Sequence, residues 1–189
     1  MAPKIKSAEH LDELELNKLL KYLYQNKVWI YYLLVRLGVS TALRYSDLSK
    51  IKWIDVLNQE TLILREQKTS KVRSIPLQAE LSENLLKIYT KMGCPDKEVL
   101  VIPIKIRAVN KQLKIYAAKA GIRGKRISSH TFRKTFGREV WKRNNQSEAS
   151  LVKLSQLFNH SSTSTTRIYL SITKEEVDYL YQMQDMFTY

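Results

Sequence analysis

The sequence predicts one α+β domain that is mostly helical and carries a small three-stranded antiparallel sheet near its start. Two observations support this fold class. Apolar residues recur at helical spacing along most of the chain, whereas residues 53–75 form short segments rich in β-branched residues. A length of 189 residues is enough for one core and short for two independent domains.

Three helices are predicted before the sheet. Residues 12–24 place leucines at helical spacing, with acidic residues in the first turn, where the helix dipole favours them. Residues 28–38 form a second, mostly buried helix that ends at Gly38. A third, short helix is expected at about residues 44–51.

The sheet is predicted from strands at 53–57, 61–66 and 71–75, with turns at 58–59 and 68–70. Helices return at 79–91, 107–120, 130–143 and 150–157. The segment Thr173–Glu176 has the capping-box pattern, which predicts a last helix near 174–185. We expect a single domain over 1–189, with residues 1–9 as a linker or disordered start.

The charge of the chain indicates a polyanionic partner. The net charge is +14, and residues 101–150 alone carry thirteen basic side chains against two acidic ones, a net +11. Such a concentration favours nucleic acid as the partner, although a solvated basic face explains the charge equally well by itself.

Other classes of protein are disfavoured. The longest apolar run, residues 28–35, is too short to span a bilayer, and the mixed charges of the first thirty residues do not resemble a signal peptide. Cys94 is the single cysteine, so no intramolecular disulfide is possible, and no Cys/His cluster has metal-ligand spacing. We therefore expect a cytoplasmic protein with no metal and no cofactor.

Five polar or basic residues and one tyrosine stand out because of the residues that surround them. Arg44 begins a short helix, and Lys68 lies at a turn between two strands. His130 and Arg133 are one helical turn apart, after Ser128 and Ser129, which are good N-cap residues. His160 follows a helix end, and Tyr169 lies nine residues further on.

These residues carry a direct resemblance to the phage integrase, or tyrosine recombinase, family. The family pattern is an Arg in a Thr-Gly-Leu-Arg-x-Ser-Glu-Leu-like segment, a hairpin Lys, His-x-x-Arg, Gly-His and Tyr. All six positions are occupied here in order, between about residues 10 and 180. The resemblance implies the tyrosine recombinase catalytic-domain fold, without the N-terminal core-binding domain of full recombinases.

The sequence departs from the family pattern at three positions. Ala42 replaces the usual Gly of the first motif, and Lys134 stands where a second His is common. Asn159 replaces the Gly before His160, which is understandable if that backbone is left-handed. None of these changes removes a catalytic group.

The resemblance implies a role for each residue. Tyr169 would be the nucleophile that forms a 3′-phosphotyrosyl intermediate, and a 5′ hydroxyl would then complete strand exchange. Arg44 and Arg133 would clamp the non-bridging phosphate oxygens, because guanidinium binds phosphate bidentately. Lys68 would protonate the leaving 5′ oxygen. His130 would be general base or acid, His160 would donate to the phosphate, and Asp47 would orient Arg44.

Two assignments have rivals. Tyr179 and Tyr181 compete with Tyr169, but both fall on the amphipathic terminal helix, where packing is expected. Lys71 competes with Lys68 and ranks below it because only Lys68 precedes the Thr of the family hairpin. The residues expected to contact DNA are basic and lie on the hairpin or in the basic third of the chain: Lys71, Arg73, Lys105, Arg107, Lys111, Lys125, Arg126 and Lys134.

The predicted partners are double-stranded DNA and further copies of the chain, in a homotetramer on paired recombination sites, with the helix at 173–187 docking on a neighbour or folding back in cis. Without DNA a monomer is expected. The alternatives are a type IB topoisomerase, which reseals its own strand, and an inert DNA-binding module descended from a recombinase. The nine residues from His160 to Tyr169, with no long insertion, favour a recombinase over a topoisomerase, and the complete catalytic set argues against an inert module.

Overall fold

The first structural unit consists of five helices, a two-stranded sheet and the first half of a sixth helix. The computed structural model describes residues 7–183, and the boundary between its two structural units lies between Phe136 and Gly137. In the first unit, α1 (Glu13–Gln25) packs on α2 (Trp29–Thr41) and α5 (Ile106–Lys119), while α2 also packs on α4 (Ala79–Lys91). These contacts bury leucines that are fully removed from water: Leu19, Leu23, Leu33, Leu34 and Leu37.

Helix α1 begins as its sequence predicts. Asp12 accepts a hydrogen bond from the Glu15 backbone at 2.8 Å, and the Glu15 carboxylate accepts one from the Asp12 backbone at 2.9 Å. Helix α2 continues three residues past the predicted end at Gly38. Gly38 is a packing position, because a Cβ there would lie 2.9 Å from the Cβ of Phe132. The helix instead ends at Ala42, which is left-handed with φ 54°.

The sheet has two strands, so the predicted third strand is wrong. β1 (Thr61–Arg65) pairs antiparallel with β2 (Val72–Pro76). The segment at 53–57 begins with a 3-10 turn, Trp53–Asp55, in which the Asp55 carboxylate accepts a hydrogen bond from the Lys52 backbone at 2.8 Å. That local bond competes with strand pairing. Trp53 and Ile54 donate instead to carbonyls of the loop at Val99 and Lys97.

Helix α6 (Ser129–Arg143) spans the boundary between the two units. The second unit continues with α7 (Glu148–Phe158), α8 (Thr163–Leu170) and α9 (Ile172–Met183). Helix α8 packs on α7 and on α9. Its N-cap Ser162 accepts a hydrogen bond from the Thr165 backbone at 3.1 Å, a helix start that the sequence prediction missed.

The predicted start of the last helix at Thr173 is wrong. Ser171 is left-handed, with φ 63°, and ends α8, after which α9 begins at once with Ile172. Thr173 therefore lies inside the first turn of α9 and is not its N-cap. The part of the prediction that falls on residues 184–187, and residues 1–6 of the predicted linker, lie outside the described chain.

Candidate active site

Arg44 occupies the position before α3 (Tyr45–Leu48), where its backbone is extended. Its neighbours hold it firmly: Leu43 is fully buried, and the Tyr45 hydroxyl donates to the carbonyl of Ile104. The Arg44 side chain itself is 16% exposed. A short helix with buried flanks thus presents a guanidinium that still reaches solvent.

His130 and Arg133 lie one turn apart on α6, as predicted. Ser128 caps the helix, since its hydroxyl accepts a hydrogen bond from the His130 backbone at 3.2 Å. Arg133 is buried, and its Nη1 donates to the carbonyl of Ala42, two residues before Arg44. The left-handed Ala42 therefore connects the first family motif to the His-x-x-Arg helix.

Arg44 and His130 line one cleft of about 820 Å³, together with Lys105, Arg107 and Ser129. The His130 side chain is accessible from this cleft, but the surrounding atoms partly desolvate it. Desolvation, followed by the positive charges of Arg133, Lys134 and Arg44, lowers the pKa of His130 below its ordinary 6.5. At neutral pH this imidazole is uncharged and can accept a proton.

Lys68 is exposed at the turn between β1 and β2. Two buried carboxylates, those of Asp47 and Glu66, make the contacts around this turn. Asp47 accepts a hydrogen bond from the Gln67 backbone at 2.8 Å. Glu66 contacts Arg44 at 3.4 Å. Asp47 thus holds the hairpin, and Glu66 supplies a carboxylate in contact with Arg44. The role of Asp47 in orienting Arg44 stays a prediction.

Glu66 was missed by sequence reasoning, because an acid at a strand end is ordinarily solvent-exposed. In the structure it is 3% exposed and also contacts Thr69 at 2.7 Å and Arg73 at 3.1 Å. Burial raises the pKa of Glu66, but the hydrogen bonds from Thr69 and Arg73 and the charge of Arg44 outweigh it, so the net shift is downward. Glu66 is thus ionised at neutral pH.

In the second unit, the rings of Phe158, His160 and Tyr169 pack against one another. The His160 and Tyr169 ring centroids are 5.2 Å apart, and Phe158 lies 5.4 Å from the first and 5.5 Å from the second. Asn159 is left-handed, with φ 53°, which confirms the reason expected for its presence at a Gly position. The turn at Asn159 ends α7 and redirects the chain so that His160 meets α8.

The imidazole of His160 has a second constraint. Its Nδ1 lies 3.0 Å from the hydroxyl of Thr166, which is fully buried in α8. This contact assigns Nδ1 to Thr166 and fixes the orientation of the imidazole ring. Thr166 was not predicted, because nothing in the Ser/Thr-rich stretch 161–166 distinguishes it except its position six residues after His160.

The rival tyrosines are placed differently. Tyr179 and Tyr181 lie on α9 and are 60% and 71% exposed, so the packing that the sequence predicts for them is absent within the described residues. Tyr169, in contrast, is held by the Phe158 and His160 rings. Its surroundings are those of a positioned phenol.

Comparison with known proteins decides the family. Residues 9–176 match the phage integrase family. The chain belongs to that family. Its members among the relatives are tyrosine recombinases and integrases, enzymes that transfer DNA strands.

Two relatives show how much of an integrase-family protein the chain spans. It is 29% identical to a probable integrase/recombinase of Bacillus subtilis, YoeC, over 95% of the chain and 94% of that protein. It is 30% identical to a tyrosine recombinase of Pseudothermotoga lettingae, over 86% of the chain but 56% of that protein. The chain thus spans nearly all of the first relative and about half of the second.

Two solved structures share the integrase-family fold. A XerH site-specific recombinase bound to its palindromic difH substrate, after cleavage, has a TM-score of 0.67 at 22% identity, covering 95% of this chain and 54% of that one. A lambda integrase tetramer on a Holliday junction has a TM-score of 0.60 at 21% identity, covering 87% of this chain and 50% of that one. At these identities the likeness establishes the fold alone.

Three of the predicted DNA-contacting residues lie where DNA could reach them. Lys105, Arg107 and Lys111 are exposed at the beginning of α5, and the first two line the cleft that holds Arg44. Lys71 is exposed on the hairpin. These four positions remain predictions for DNA contact in this integrase-family domain.

The remaining four predicted DNA contacts have intramolecular partners. Lys134 is 3% exposed, and its Nζ is 3.2 Å from the Ser7 hydroxyl. Burial lowers the pKa of Lys134 against the opposing charge of Glu9. Lys134 therefore leaves the proposed set. The other three form ion pairs: Arg73 with Glu66, Lys125 with Glu15, and Arg126 with Glu9.

Within residues 7–183 no group of three or more His, Cys, Asp or Glu side chains could hold a metal ion. Over the same residues, no helix has the length and apolar character needed to cross a bilayer.

Proposed function

We propose that this chain cleaves and rejoins DNA strands at specific sites, with Tyr169 as the nucleophile. One observation carries the proposal. In the first unit Arg44 and His130 line one basic cleft, and Arg133 bonds the carbonyl two residues before Arg44, while the second unit holds a histidine against a tyrosine. These groups match, in kind and order, the requirements of phosphodiester cleavage through a covalent intermediate.

The chemistry divides among the residues as follows. The Tyr169 phenolate attacks phosphorus, and the bond from phosphorus to the 5′ oxygen breaks. Arg44 and Arg133 neutralise the two non-bridging oxygens, whose charge grows in the transition state. Lys68 gives its proton to the departing 5′ oxygen. A 5′ hydroxyl from the partner duplex then attacks the phosphotyrosyl link and releases Tyr169.

The two histidines have different roles. His130 has a pKa below its ordinary value, so it is neutral at pH 7 and suited to accept the phenol proton. His160 is oriented through Nδ1 by Thr166 and donates a hydrogen bond from Nε2 to a phosphate oxygen. The lowered pKa of His130 and the contact between His160 and Thr166 support this division.

The partners belong to the same proposal. The XerH and lambda integrase structures contain DNA, and the second is a tetramer on a four-way junction. We extend to this chain a DNA duplex as substrate and assembly into tetramers on paired sites. In α9 an exposed apolar face, formed by Val177, Leu180 and Tyr181, is available for a neighbouring protomer.

A nicked suicide duplex tests the reaction. The nick releases the short 5′-hydroxyl strand after cleavage, so the covalent adduct accumulates and migrates slowly on a denaturing gel. We expect an adduct with the wild-type chain and none with Tyr169→Phe, which keeps the ring but lacks the nucleophile.

The same assay separates the alternatives. A type IB topoisomerase would also relax supercoiled DNA without a site preference, and an inert binding module would form no adduct on any duplex. Tyr181→Phe is the matched control, because Tyr181 lies exposed on α9. Loss of the adduct in Tyr181→Phe but not in Tyr169→Phe would contradict the assignment.

A further inference from the structure

The Glu66 carboxylate contacts both Arg44 and the hairpin that carries Lys68. Its Oε2 accepts from Thr69 at 2.7 Å and lies 3.4 Å from Arg44 Nη1, while Oε1 lies 3.1 Å from Arg73 Nη1. Thr69 precedes, and Arg73 belongs to, the returning strand β2. One carboxylate therefore joins three separate parts of the first unit.

The burial of Glu66 makes these contacts mutually dependent. The side chain is 3% exposed, and Arg44 and Arg73 are 16% and 18% exposed, so water screens the group weakly. A buried carboxylate is tolerated only when its partners are in place, because removing one leaves an uncompensated charge. Displacement of the hairpin from Arg44 is thus opposed by the need to keep Glu66 paired.

Lys68 lies inside the segment that these contacts fix. The residue before it, Gln67, donates its backbone N–H to Asp47 at 2.8 Å, and the residue after it, Thr69, donates its hydroxyl to Glu66. The Lys68 side chain itself is exposed. Its backbone is therefore held on both sides, by two buried acids of which one contacts Arg44.

We infer that Glu66 is a positioning residue for strand cleavage: it sets where Lys68 stands relative to the phosphate held by Arg44. The inference rests on the proposed function, in which Lys68 protonates the leaving 5′ oxygen. Glu66 touches neither substrate nor reacting atoms. It acts by holding the hairpin, through Thr69 and Arg73, at a fixed position relative to the Arg44 guanidinium.

The test changes the leaving group. In one suicide duplex the scissile phosphate carries the ordinary 5′-bridging oxygen, and in a second it carries sulfur at that position. Cleavage of the sulfur duplex breaks the bond from phosphorus to sulfur and releases a thiolate, which leaves without receiving a proton because thiols are far more acidic than alcohols. The sulfur duplex therefore bypasses Lys68 but still needs both arginines and Tyr169.

Single-turnover cleavage is compared for Glu66→Gln, Thr69→Val and Lys68→Ala, with Glu80→Gln as the control. Glu80 pairs with Arg36 at 2.7 Å and is 78% exposed, so it matches the charge change on an ordinary surface pair. We expect Glu66→Gln to cleave the oxygen duplex at least about tenfold more slowly than wild type, since small misplacements of catalytic groups cost up to about a hundredfold. On the sulfur duplex it should recover to within a few-fold, as Lys68→Ala does.

Thr69→Val tests the same positioning role if Glu66→Gln is poorly folded. It removes only the hydroxyl that donates to Glu66, leaves the carboxylate paired with both arginines, and should show the same selective loss on oxygen. Equal losses on both duplexes, or cleavage of the oxygen duplex at the wild-type rate by both variants, would overturn the positioning role. Wild-type protein that forms no adduct on either duplex would instead overturn the proposed function, and the inference with it.

Discussion

Arg133 and Lys134 are adjacent in sequence and both buried, yet the structure gives them different tasks. Arg133 donates to the Ala42 carbonyl beside the first family motif, whereas Lys134 reaches the Ser7 hydroxyl. The difference follows from helix geometry, because consecutive residues point about 100° apart around α6. At the residue scale, function here depends on which partner each charge meets.

His130 gives the first prediction, a pH dependence of cleavage. Its pKa lies below 6.5 because of desolvation and the charges of Arg133, Lys134 and Arg44. If the neutral imidazole is the active form, the single-turnover rate should stay on its plateau as the pH falls to 6.5 and decline only below it. His130→Gln should be slower and should lose that decline.

The same shift has a consequence for stability. An unfolded chain binds the His130 proton at a higher pH than the folded one, so the free energy of unfolding should decrease as the pH falls from about 6.5 through the folded pKa. Above that window the residue is neutral in both states and contributes nothing to the pH dependence of stability.

The cleavage rate tests the assignment of His130 as base. A single-turnover rate that already declines above pH 6.5 would contradict it.

At the scale of elements, the packing of α6, α7 and α8 in the second unit determines where Tyr169 lies. Phe158 closes α7, Leu170 closes α8, and both side chains are fully removed from water. The rings of Phe158, His160 and Tyr169 follow from this packing. A change in the interhelical contact should therefore reach the nucleophile.

Gly137→Ala tests that packing. A Cβ at Gly137 would lie 2.7 Å from Leu170 Cδ2 and 2.9 Å from Phe158 Cζ. In an open helix this change gains about 1 kcal/mol, but overpacking a core costs about 1–3 kcal/mol, and contacts this short favour the upper part of that range. We expect a net loss of about 1–2 kcal/mol in the free energy of unfolding, measured by denaturant titration, and slower cleavage.

The control uses the crowded neighbour. Leu170→Ala vacates space, so its combination with Gly137→Ala should cost less than the sum of the two single changes. A Gly137→Ala protein more stable than wild type would show that α7 and α8 give way without strain.

Helix α9 allows a matched comparison between its two faces. Leu180 and Tyr181 share the exposed apolar face, 62% and 71% exposed, whereas Tyr179 is 60% exposed on the opposite side. We expect Leu180→Glu with Tyr181→Glu to leave the stability of the free protein within about 0.5 kcal/mol of wild type and to abolish multimer formation on DNA, measured by sedimentation.

Tyr179→Glu is the control and should assemble normally. If the double variant unfolds more easily while its assembly on DNA is unchanged, the face serves its own protomer and not a neighbour.

At the scale of the whole molecule, charge governs the encounter with DNA. Residues 101–150 carry a net +11, and the exposed Arg107, Lys111 and Lys114 follow one another on one side of α5. Such a row presents several positive charges side by side, which suits contact with a run of backbone phosphates. The row leads away from the cleft that holds Arg44.

This charge predicts a salt-dependent affinity. Binding to a duplex should weaken by about a thousandfold or more between about 50 and 200 mM salt, as fluorescence anisotropy can measure. Lys111→Ala should reduce the slope of log affinity against log salt by about 0.9, the contribution of one phosphate contact. Lys21→Ala, at an exposed position on α1, should leave the slope unchanged, and an affinity that ignores salt would exclude the row from the interface.

Much of this protein was determined by its sequence alone. Helical spacing of apolar residues predicted α1, α4 and α5 to within about a residue, because amphipathic periodicity is a local property. The order of Arg44, Lys68, His130, Arg133, His160 and Tyr169 indicated the family, since their identities and spacing are read directly from the chain.

The tertiary structure alone decided which polar groups are buried and what they meet. Glu66 is buried and contacts both Arg44 and the hairpin, and Asp47 accepts a hydrogen bond from Gln67. Thr166 contacts the imidazole of His160, and Lys134 is buried beside Ser7. The predicted third strand became a 3-10 turn because Asp55 bonded its own backbone. Burial and pairing depend on residues far apart in the chain, and local sequence patterns carry no information about those encounters.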